Sequence, residues 1–198
     1  MFLTKTFVIV DAKFYDASSS ANISKYSKTG NGSLSYDSTN QCYLLNNGST
    51  NWKWTSWIMS NVDFSNTVTV KAKIRLLTNY NCQVSLGLYG SKGLVGNSIL
   101  ASSATFYAVQ VAEQELQSDA TSKGQETLTS SDIQTNVWYD VEITYSSGSA
   151  TFKLYNGSTL VKTVTGSSSV LTSNTNKLMF NIGMYGNSQA NIKDITVL

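Results

Sequence analysis

The chain has 198 residues, of which 41% are hydrophobic and only 13% are charged, and its formal net charge is +2. This length and apolar content suffice for one all-β core, so we expect residues 1–198 to form a single β-sandwich domain. The small net charge argues against the extended basic surface that nucleic-acid binding requires, and we expect no nucleic-acid partner. The chain has no histidine, which removes the usual general base, the Ser-His and Cys-His nucleophile pairs and the commonest transition-metal ligand.

The beginning of the chain is predicted to form a strand at residues 2–10, which includes the longest apolar run at residues 7–10. This run is far shorter than the roughly 20 residues that cross a bilayer, so we predict no membrane insertion. The opening residues also lack the charged start and long apolar stretch of a secretory signal. We therefore expect either that a signal was removed or that the protein leaves its cell by another route, for instance in a virus particle.

The next part of the chain is predicted to contain short strands separated by surface loops. Residues 15–32 lack a strand pattern and are predicted to form a long loop. Strands are predicted at residues 33–36, 42–46 and 52–59. The clearest strand covers residues 67–77, where apolar side chains alternate with Thr69, Lys71, Lys73 and Arg75. This period of two predicts one buried face and one wet face.

The middle of the chain continues this pattern. Val84, Leu86 and Leu88 predict the next strand of a meander, followed by a glycine-rich loop that runs through Gly96. A further strand is predicted at residues 106–112. Residues 113–132 are predicted to form a second long surface loop, and a hairpin within it stays open as an alternative.

The last third of the chain carries the strongest hairpin signal. Residues 137–145 alternate in polarity, and Ser147-Gly148 predicts a turn into a strand at residues 150–155. Asn156-Gly157 accepts the positive φ angles of a tight turn, so residues 150–155 and 159–165 are predicted to pair. Strands are also predicted at residues 178–185 and 192–198. Because short strands recur without any helical window, we predict an all-β fold, an antiparallel two-sheet β-sandwich of jelly-roll type.

The two cysteines, Cys42 and Cys82, lie in separate predicted strands. No CxxC or Cys/His spacing accompanies them, so a structural zinc site is not expected. We predict that both are small core residues, and a disulfide between them stays open as an alternative.

Residues 137–161 carry a family resemblance. The segment VWYDVEITY (residues 137–145), a glycine turn and the segment FKLYNG (residues 152–157) resemble the concanavalin A-like lectin and glucanase superfamily, including laminin G-like domains. The closing NIKDITV (residues 191–197) looks like the last strand of such domains, and VTVKAKIRL (residues 68–76) is similar to their central strand. The resemblance covers residues 33–198. It implies a two-sheet, concanavalin A-like jelly roll that binds sugars or proteins.

The glucanases of this superfamily carry two or three acidic residues that alternate along one strand. The nearest matches here are Asp140-Val141-Glu142 and Glu113-Gln114-Glu115, and neither completes the pattern. Paired carboxylates at alternate positions do share one strand face, as glycoside hydrolysis requires. We interpret them as solvated outward positions, and we predict no catalytic residues and no enzyme activity.

The most suggestive cluster is Trp52-Lys53-Trp54-Thr55-Ser56-Trp57, in which Trp52 and Trp54 share a face and Trp57 takes the other. Flat aromatic rings can stack on sugar rings, while neighbouring amides and hydroxyls bind the sugar's OH groups. Asn51 and the preceding segment of residues 46–50 can supply such groups. At least one of the three tryptophans is expected in the core. The predicted carbohydrate-binding residues are Trp52, Trp54, Asn51, Tyr89, Tyr107 and Tyr185.

Two further sites are weighed against simpler interpretations. Lys71, Lys73 and Arg75 can meet an anionic polymer, but three basic residues on one strand more often improve solubility or protect a sheet edge. Calcium is common in the superfamily and is bound by Asp, Asn and backbone oxygens. Asp16 and Asp194 can meet in a structural calcium site if the terminal strands pair, and no other cofactor is expected.

The leading functional hypothesis is a non-catalytic module that binds a polysaccharide, a glycan or a surface protein. The alternative is a structural or receptor-binding, adhesin-like protein of a virus or phage particle, which would assemble as a symmetric oligomer. A glycoside hydrolase is the third hypothesis. All three place the protein outside the cell, at a cell surface or in a virus particle.

Overall fold

The computed structural model describes residues 20–49, 54–59, 64–65, 67–78, 82–90, 93–101, 107–115, 121–129, 131–146, 148–167, 169, 175–184 and 186–198. Within these ranges, strands form two antiparallel sheets of seven strands each. Side by side, sheet A contains β1 (Tyr26–Thr29), β4 (Thr55–Met59), β13 (Lys177–Met184), β6 (Cys82–Gly90), β7 (Gly93–Ala101), β8 (Tyr107–Glu115) and β9 (Thr121–Leu128). Sheet B contains β12 (Thr159–Ser167), β11 (Ser149–Asn156), β10 (Tyr139–Ser146), β5 (Val68–Leu76), β14 (Gln189–Val197), β3 (Cys42–Asn46) and β2 (Ser33–Asp37).

The core lies between the two sheets, because apolar and polar side chains alternate along the strands and the apolar ones face inwards. Every second residue of β5 and β10 is buried, as the sequence predicts. Tyr43 of sheet B stacks on Phe180 of sheet A with a centroid separation of 6.2 Å, which joins the two inner faces directly. Burying a side chain such as Phe180 stabilises the fold by about 1.5–3 kcal/mol. The predicted all-β sandwich of jelly-roll type is therefore confirmed.

The sandwich is closed along one side, where the edge strands β9 and β12 meet. A Cβ atom at Gly124 of β9 would lie 3.1 Å from the carbonyl carbon of Thr165 and 3.2 Å from Cγ2 of Val164. Only glycine lets the two backbones approach so closely. This contact brings the edge of sheet A next to the edge of sheet B.

The predicted hairpin at β11 and β12 is confirmed, but its turn is shifted by one residue. Asn156 pairs with Thr159, so Gly157 and Ser158 form the two-residue loop. Gly157 has a φ of 59°, whereas Asn156 keeps a strand conformation. Glycine at the first loop position fits a type II′ turn, which gives the same strand pairing as the expected turn.

Three predicted loops contain regular structure. β7 occupies part of the predicted glycine-rich loop, because Gly96 lies opposite Gly87 in the ladder with β6. The hairpin alternative for residues 113–132 is confirmed, since β9 pairs with β8. The described part of residues 15–32 forms a 3₁₀ helix, Ser20–Lys25, and then β1, whose Tyr26 is buried. The predicted strand at residues 2–10 lies outside the described residues.

The structure also tests three smaller predictions. Cys42 and Cys82 are both buried and free, so they are not joined by a disulfide. β5 lies between β10 and β14, so the interpretation of its basic residues as edge protection is wrong. Among the described residues there is no helix of the length and apolarity needed to cross a membrane.

Candidate functional site

Trp54 stands immediately before β4 and keeps 40% of its surface exposed. One face of its indole ring lies against Gly183 of β13, where a Cβ atom would come 2.8 Å from Cζ3 and even closer to two other ring atoms. Gly183 lies on the outer face of sheet A, because its neighbour Ile182 points into the core. The strand therefore supports one side of a flat aromatic ring while a large part of the ring stays open to solvent.

Tight turns hold the backbone around Trp54. A Cβ atom at Gly30, which has a φ of 92°, would lie 3.0 Å from Cα of Thr55, so this turn packs directly on the start of β4. The amide of Gly32 donates to Oγ1 of Thr55 at 2.9 Å. The same hydroxyl group lies 3.3 Å from Oδ1 of Asn47, to which it donates. Thr55 is buried, so it fixes the positions of both turns relative to Trp54.

Asparagine and glycine residues form the loops that neighbour the start of β4. A Cβ atom at Gly48 would lie 3.0 Å from the carbonyl oxygen of Asn31, and the backbone amide of Asn187 donates to the carbonyl oxygen of Gly48. The side chains of Asn31 and Asn187 are exposed. We call Trp54, Gly183, Asn31, Gly48 and Asn187 the Trp54 site. Its groups can stack on a ring and exchange hydrogen bonds, but they include no titratable acid or base.

The structure separates residues that the sequence analysis grouped together. Tyr89 lies on the outer face of sheet A with Trp54, but Gly183 pairs with Gln83, six residues away along β6 from Tyr89. Six residues of strand span about 20 Å, so Tyr89 is not part of the Trp54 site. The segment at residues 46–48 contacts Thr55, the residue that follows Trp54, through Asn47. Asn187 lies next to this segment because β3 and β14 are neighbours in sheet B.

The other predicted aromatic residues have different outcomes. Trp57 is 2% exposed and packs against Phe180, with ring centroids 5.8 Å apart, which confirms the expectation that one tryptophan of the cluster is in the core. The backbone of Tyr107 begins β8. Trp52, Asn51 and Tyr185 lie outside the described residues, so their predicted roles remain predictions.

Solved structures share this architecture over most of the chain. The legume lectin-like domain from Entamoeba histolytica aligns over 96% of this chain and 97% of its own, with a TM-score of 0.63 and 10% identity. The carbohydrate-binding module CBM66 from Bacillus subtilis aligns over 89% and 96%, with a TM-score of 0.60 and 13% identity. The CBM2 module of the evolved Dit of Lactobacillus casei BL23 phage J-1 aligns over 85% and 80%, with a TM-score of 0.59 and 12% identity. The chain has the concanavalin A-like fold.

The resemblance that the sequence carries is thus confirmed at the level of this fold. No protein-family model and no curated protein matches the sequence. At identities this low, the concanavalin A-like fold positions the residues but does not assign their chemistry. The chemistry has to be derived from the side chains themselves.

On the outer face of sheet B, the predicted carboxylate pair is engaged in ion pairs. Glu142 lies 3.0 Å from the ammonium groups of both Lys153 and Lys71, and Asp140 lies 2.6 Å from that of Lys73. The hydrogen bond from Lys153, followed by that from Lys71, lowers the pKa of Glu142. A proton donor in glycoside hydrolysis needs a raised pKa, so these contacts oppose that role.

The same face of the concanavalin A-like fold contains a cluster that the sequence analysis missed. The ring of Trp138 lies 4.6 Å from the guanidinium carbon of Arg75 and 4.5 Å from the ammonium group of Lys193. Arg75 also donates to Oδ1 of Asn191 at 2.7 Å. These contacts join β5 and β14 to the residue that precedes β10. Cation–π pairs of this kind contribute about 0.5–1 kcal/mol each when exposed. The sequence predicts the basic face of β5 but not the neighbours that occupy it.

The structure describes one of the two residues of the predicted calcium site. Asp194 is exposed at an irregularity in the pairing of β14 with β5, where its φ is 53°. Asp16 lies outside the described residues. Among the residues that are described, no group of three or more His, Cys, Asp or Glu side chains is placed to hold a metal ion. The pairing of Asp16 with Asp194 remains a prediction.

Proposed function

We propose that the protein is a non-catalytic carbohydrate-binding module and that it holds its ligand at the Trp54 site. The observation that carries this proposal is the half-open indole ring of Trp54, which is backed by Gly183. Asn31 and Asn187 are exposed and belong to the neighbouring turns, which contact each other through Gly48. A sugar ring has an apolar C–H face and a rim of hydroxyl groups. The aromatic face matches the first feature, and the amide groups match the second.

The same geometry favours a neutral sugar as ligand. The site offers amide, hydroxyl and backbone groups, and the ammonium group of nearby Lys28 already donates to the carbonyl oxygen of Gly32 at 3.0 Å. The basic side chains considered for an anionic polymer lie on sheet B, where Lys71 and Lys73 are paired with Glu142 and Asp140. Ligand charge therefore adds little to binding in this proposal.

A binding role also agrees with the electrostatics better than an enzymatic one. The lowered pKa of Glu142 keeps this carboxyl group ionised, whereas a hydrolase would need one protonated partner. Hydrolysis of a β-glucan that Glu142→Gln abolishes would restore the glycoside hydrolase hypothesis. The similarity to lectin-like and carbohydrate-binding folds supports a binding module as well.

A particle protein is the second candidate, because the fold is similar to a module of a phage protein. In this alternative the domain, residues 1–198, recognises a host surface as part of a symmetric oligomer. Both candidates act outside the cell, at a cell surface or on a virus particle. A stable trimer in solution would favour the particle protein, and a monomer would favour the isolated module.

Binding to a glycan array, followed by calorimetric titration, tests the main proposal. We expect the wild-type protein to bind neutral glycans and Trp54→Ala to lose at least about tenfold in affinity, since a stacked ring is worth about 1.4 kcal/mol or more. Trp138→Ala is the matched control, because it removes a partly exposed tryptophan from the opposite sheet. Absence of binding to every glycan, or equal loss in both variants, would contradict the proposal.

A further inference from the structure

Two cations on the outer face of sheet B differ from their neighbours in having no acidic partner. The ion pairs of this face involve three lysines, Lys71, Lys73 and Lys153. Among the described residues, neither Arg75 nor Lys193 lies within ion-pair distance of a carboxylate. Both of them lie against the ring of Trp138, and we call these three residues the Trp138 cluster. The cluster therefore keeps its positive charge.

The two positive charges of the Trp138 cluster are held close together. The guanidinium carbon of Arg75 lies 4.6 Å from the centre of the Trp138 ring, and the ammonium nitrogen of Lys193 lies 4.5 Å from it, so the two charges are no more than about 9 Å apart. This separation is within the screening length of about 10 Å in 0.1 M salt, so the two charges repel each other. An anion bound beside both cations offsets that repulsion.

Asn191 fixes the direction of Arg75 without neutralising it. Oδ1 of Asn191 accepts hydrogen bonds from Nε and Nη2 of Arg75 at 3.0 and 2.7 Å. Asn191 is only 1% exposed, and its Nδ2 donates to the carbonyl oxygen of Tyr43 at 3.4 Å, which ties it to β3. An aspartate at this position would hold the guanidinium group in the same way and cancel its charge. An asparagine holds the group and leaves the charge available for a ligand.

The unused part of the guanidinium group fits a carboxylate. Arg75 has five N–H donors, and Asn191 accepts from one on Nε and one on Nη2, which leaves three. These three include a parallel pair at the end of the group, one on Nη1 and one on Nη2, which matches the two oxygen atoms of a carboxylate. Arg75 and Lys193 are both partly exposed, so a ligand can reach them from solvent.

The acidic residues around the cluster make their contacts elsewhere. The carboxylate of Asp37 on β2 accepts hydrogen bonds from the turn that follows this strand. Asp194 comes directly after Lys193 in β14, but it lines a cavity together with Lys71 and Lys73. A ligand carboxylate at the cluster therefore displaces no ion pair of the folded protein.

We propose that the Trp138 cluster is a second binding site, which takes a sugar chain that carries carboxylate groups and binds a carboxylate with Arg75 and Lys193. A sugar acid joins its carboxylate directly to a ring with an apolar C–H face. One such unit can contact the two cations and the partly exposed ring of Trp138 together. An acidic peptide brings the carboxylate without the ring. The cluster lies on sheet B and the Trp54 site on sheet A, so this inference goes beyond the proposed function and does not depend on it.

Calorimetric titration of the Trp54→Ala variant tests the second site by itself, because this variant lacks the stacking ring of the Trp54 site. The ligands are oligomers of galacturonic, glucuronic and mannuronic acid, each compared with its carboxyl-reduced, neutral form and with oligoglutamate. We expect at least one acid oligomer to bind, its neutral form to lose at least about tenfold in affinity, and high salt to weaken binding. No binding of any acid oligomer, or equal affinity for a neutral form or for oligoglutamate, would overturn this inference and leave the proposed function intact.

Variants of the Trp138 cluster assign the binding to its side chains. Arg75→Gln and Lys193→Gln should each weaken binding of the acid oligomer, the first at least about tenfold, whereas Lys162→Gln should leave it unchanged. Lys162→Gln is the matched control because it removes the same charge from the edge strand β12. Asn191→Asp keeps the shape of the side chain that holds Arg75 and neutralises the charge, so it should abolish binding. Equal weakening by Arg75→Gln and Lys162→Gln, or undiminished binding by Asn191→Asp, would overturn the role of the cluster.

Discussion

The indole ring of Trp54 lies flat on Gly183, a residue from a strand that is far away in the sequence. A glycine at this point of β13 is what lets the ring approach the sheet, because any side chain would occupy the same space. The contact fixes the orientation of the ring and leaves its other side to solvent. A rigid, half-open aromatic surface is well suited to binding because little conformational entropy is lost when a ligand arrives.

The first prediction concerns this contact. Gly183→Ala places a Cβ atom within van der Waals radius of the ring, so the ring must move or the strand must shift. We expect a loss of about 1–3 kcal/mol in the free energy of unfolding, as for other overpacked sites, and a clear loss of glycan affinity. Urea unfolding and calorimetry check both values. Unchanged stability and affinity would mean that Trp54 does not rest on Gly183.

The second prediction separates the two described tryptophans of the cluster. Trp57→Ala empties a core position that is 2% exposed and should cost about 3–5 kcal/mol. Trp54→Ala removes a half-open ring and should cost about 1 kcal/mol or less. Urea denaturation of both variants measures the difference. Equal destabilisation would place Trp54 in the core and remove the basis of the binding site.

The sandwich was predictable because burial in a sheet has a period of two, and this chain keeps that period on β5, β10 and β11. β7 was missed because Gly93 and Gly96 interrupt its apolar residues, and β9 was left open because polar residues dominate it. Their strand conformation comes from pairing with β6 and β8, which local sequence does not encode.

The site was predictable only in part. A cluster of tryptophans and asparagines indicated sugar recognition, and Trp54 proved to be half-open. The sequence could not reveal that Gly183 supports the ring, because this contact joins distant segments. Tyr89 was expected in the same groove as Trp54, and it does lie on the same outer face of sheet A. Its distance from Trp54 depends on the strand register, which the sequence does not encode.

The third prediction concerns pH and the ion pairs of sheet B. The pKa of Glu142 is lowered in the folded protein, so its contribution to stability is present above its unfolded value of about 4.3 and is lost as the pH falls through the folded value. Glu142→Gln should cost about 0.5–1 kcal/mol at neutral pH, since both lysine partners are more than one-third exposed.

Urea unfolding of the wild type and Glu142→Gln between pH 7 and pH 3 measures this contribution. The difference between the two proteins should shrink towards pH 3 and also shrink in high salt. A difference that grows as the pH falls would contradict the lowered pKa.

The fourth prediction concerns the thiols. Burial raises the pKa of Cys82 to about 12, and burial also raises that of Cys42. The thiolate is the reactive species, so neither cysteine should react quickly with a thiol reagent at pH 8 in the native state. Both should react at once in guanidinium chloride. Rapid modification of either residue in the folded protein would show that its strand opens or that its burial is incomplete.

The most direct test of sugar binding at Trp54 is an NMR titration that follows the indole N–H signals of the four tryptophans. The signal of Trp54, assigned with Trp54→Phe, should shift with increasing concentration of the best glycan from the array, while that of Trp138 stays in place. A saturating titration in which the Trp54 signal does not move would contradict the account.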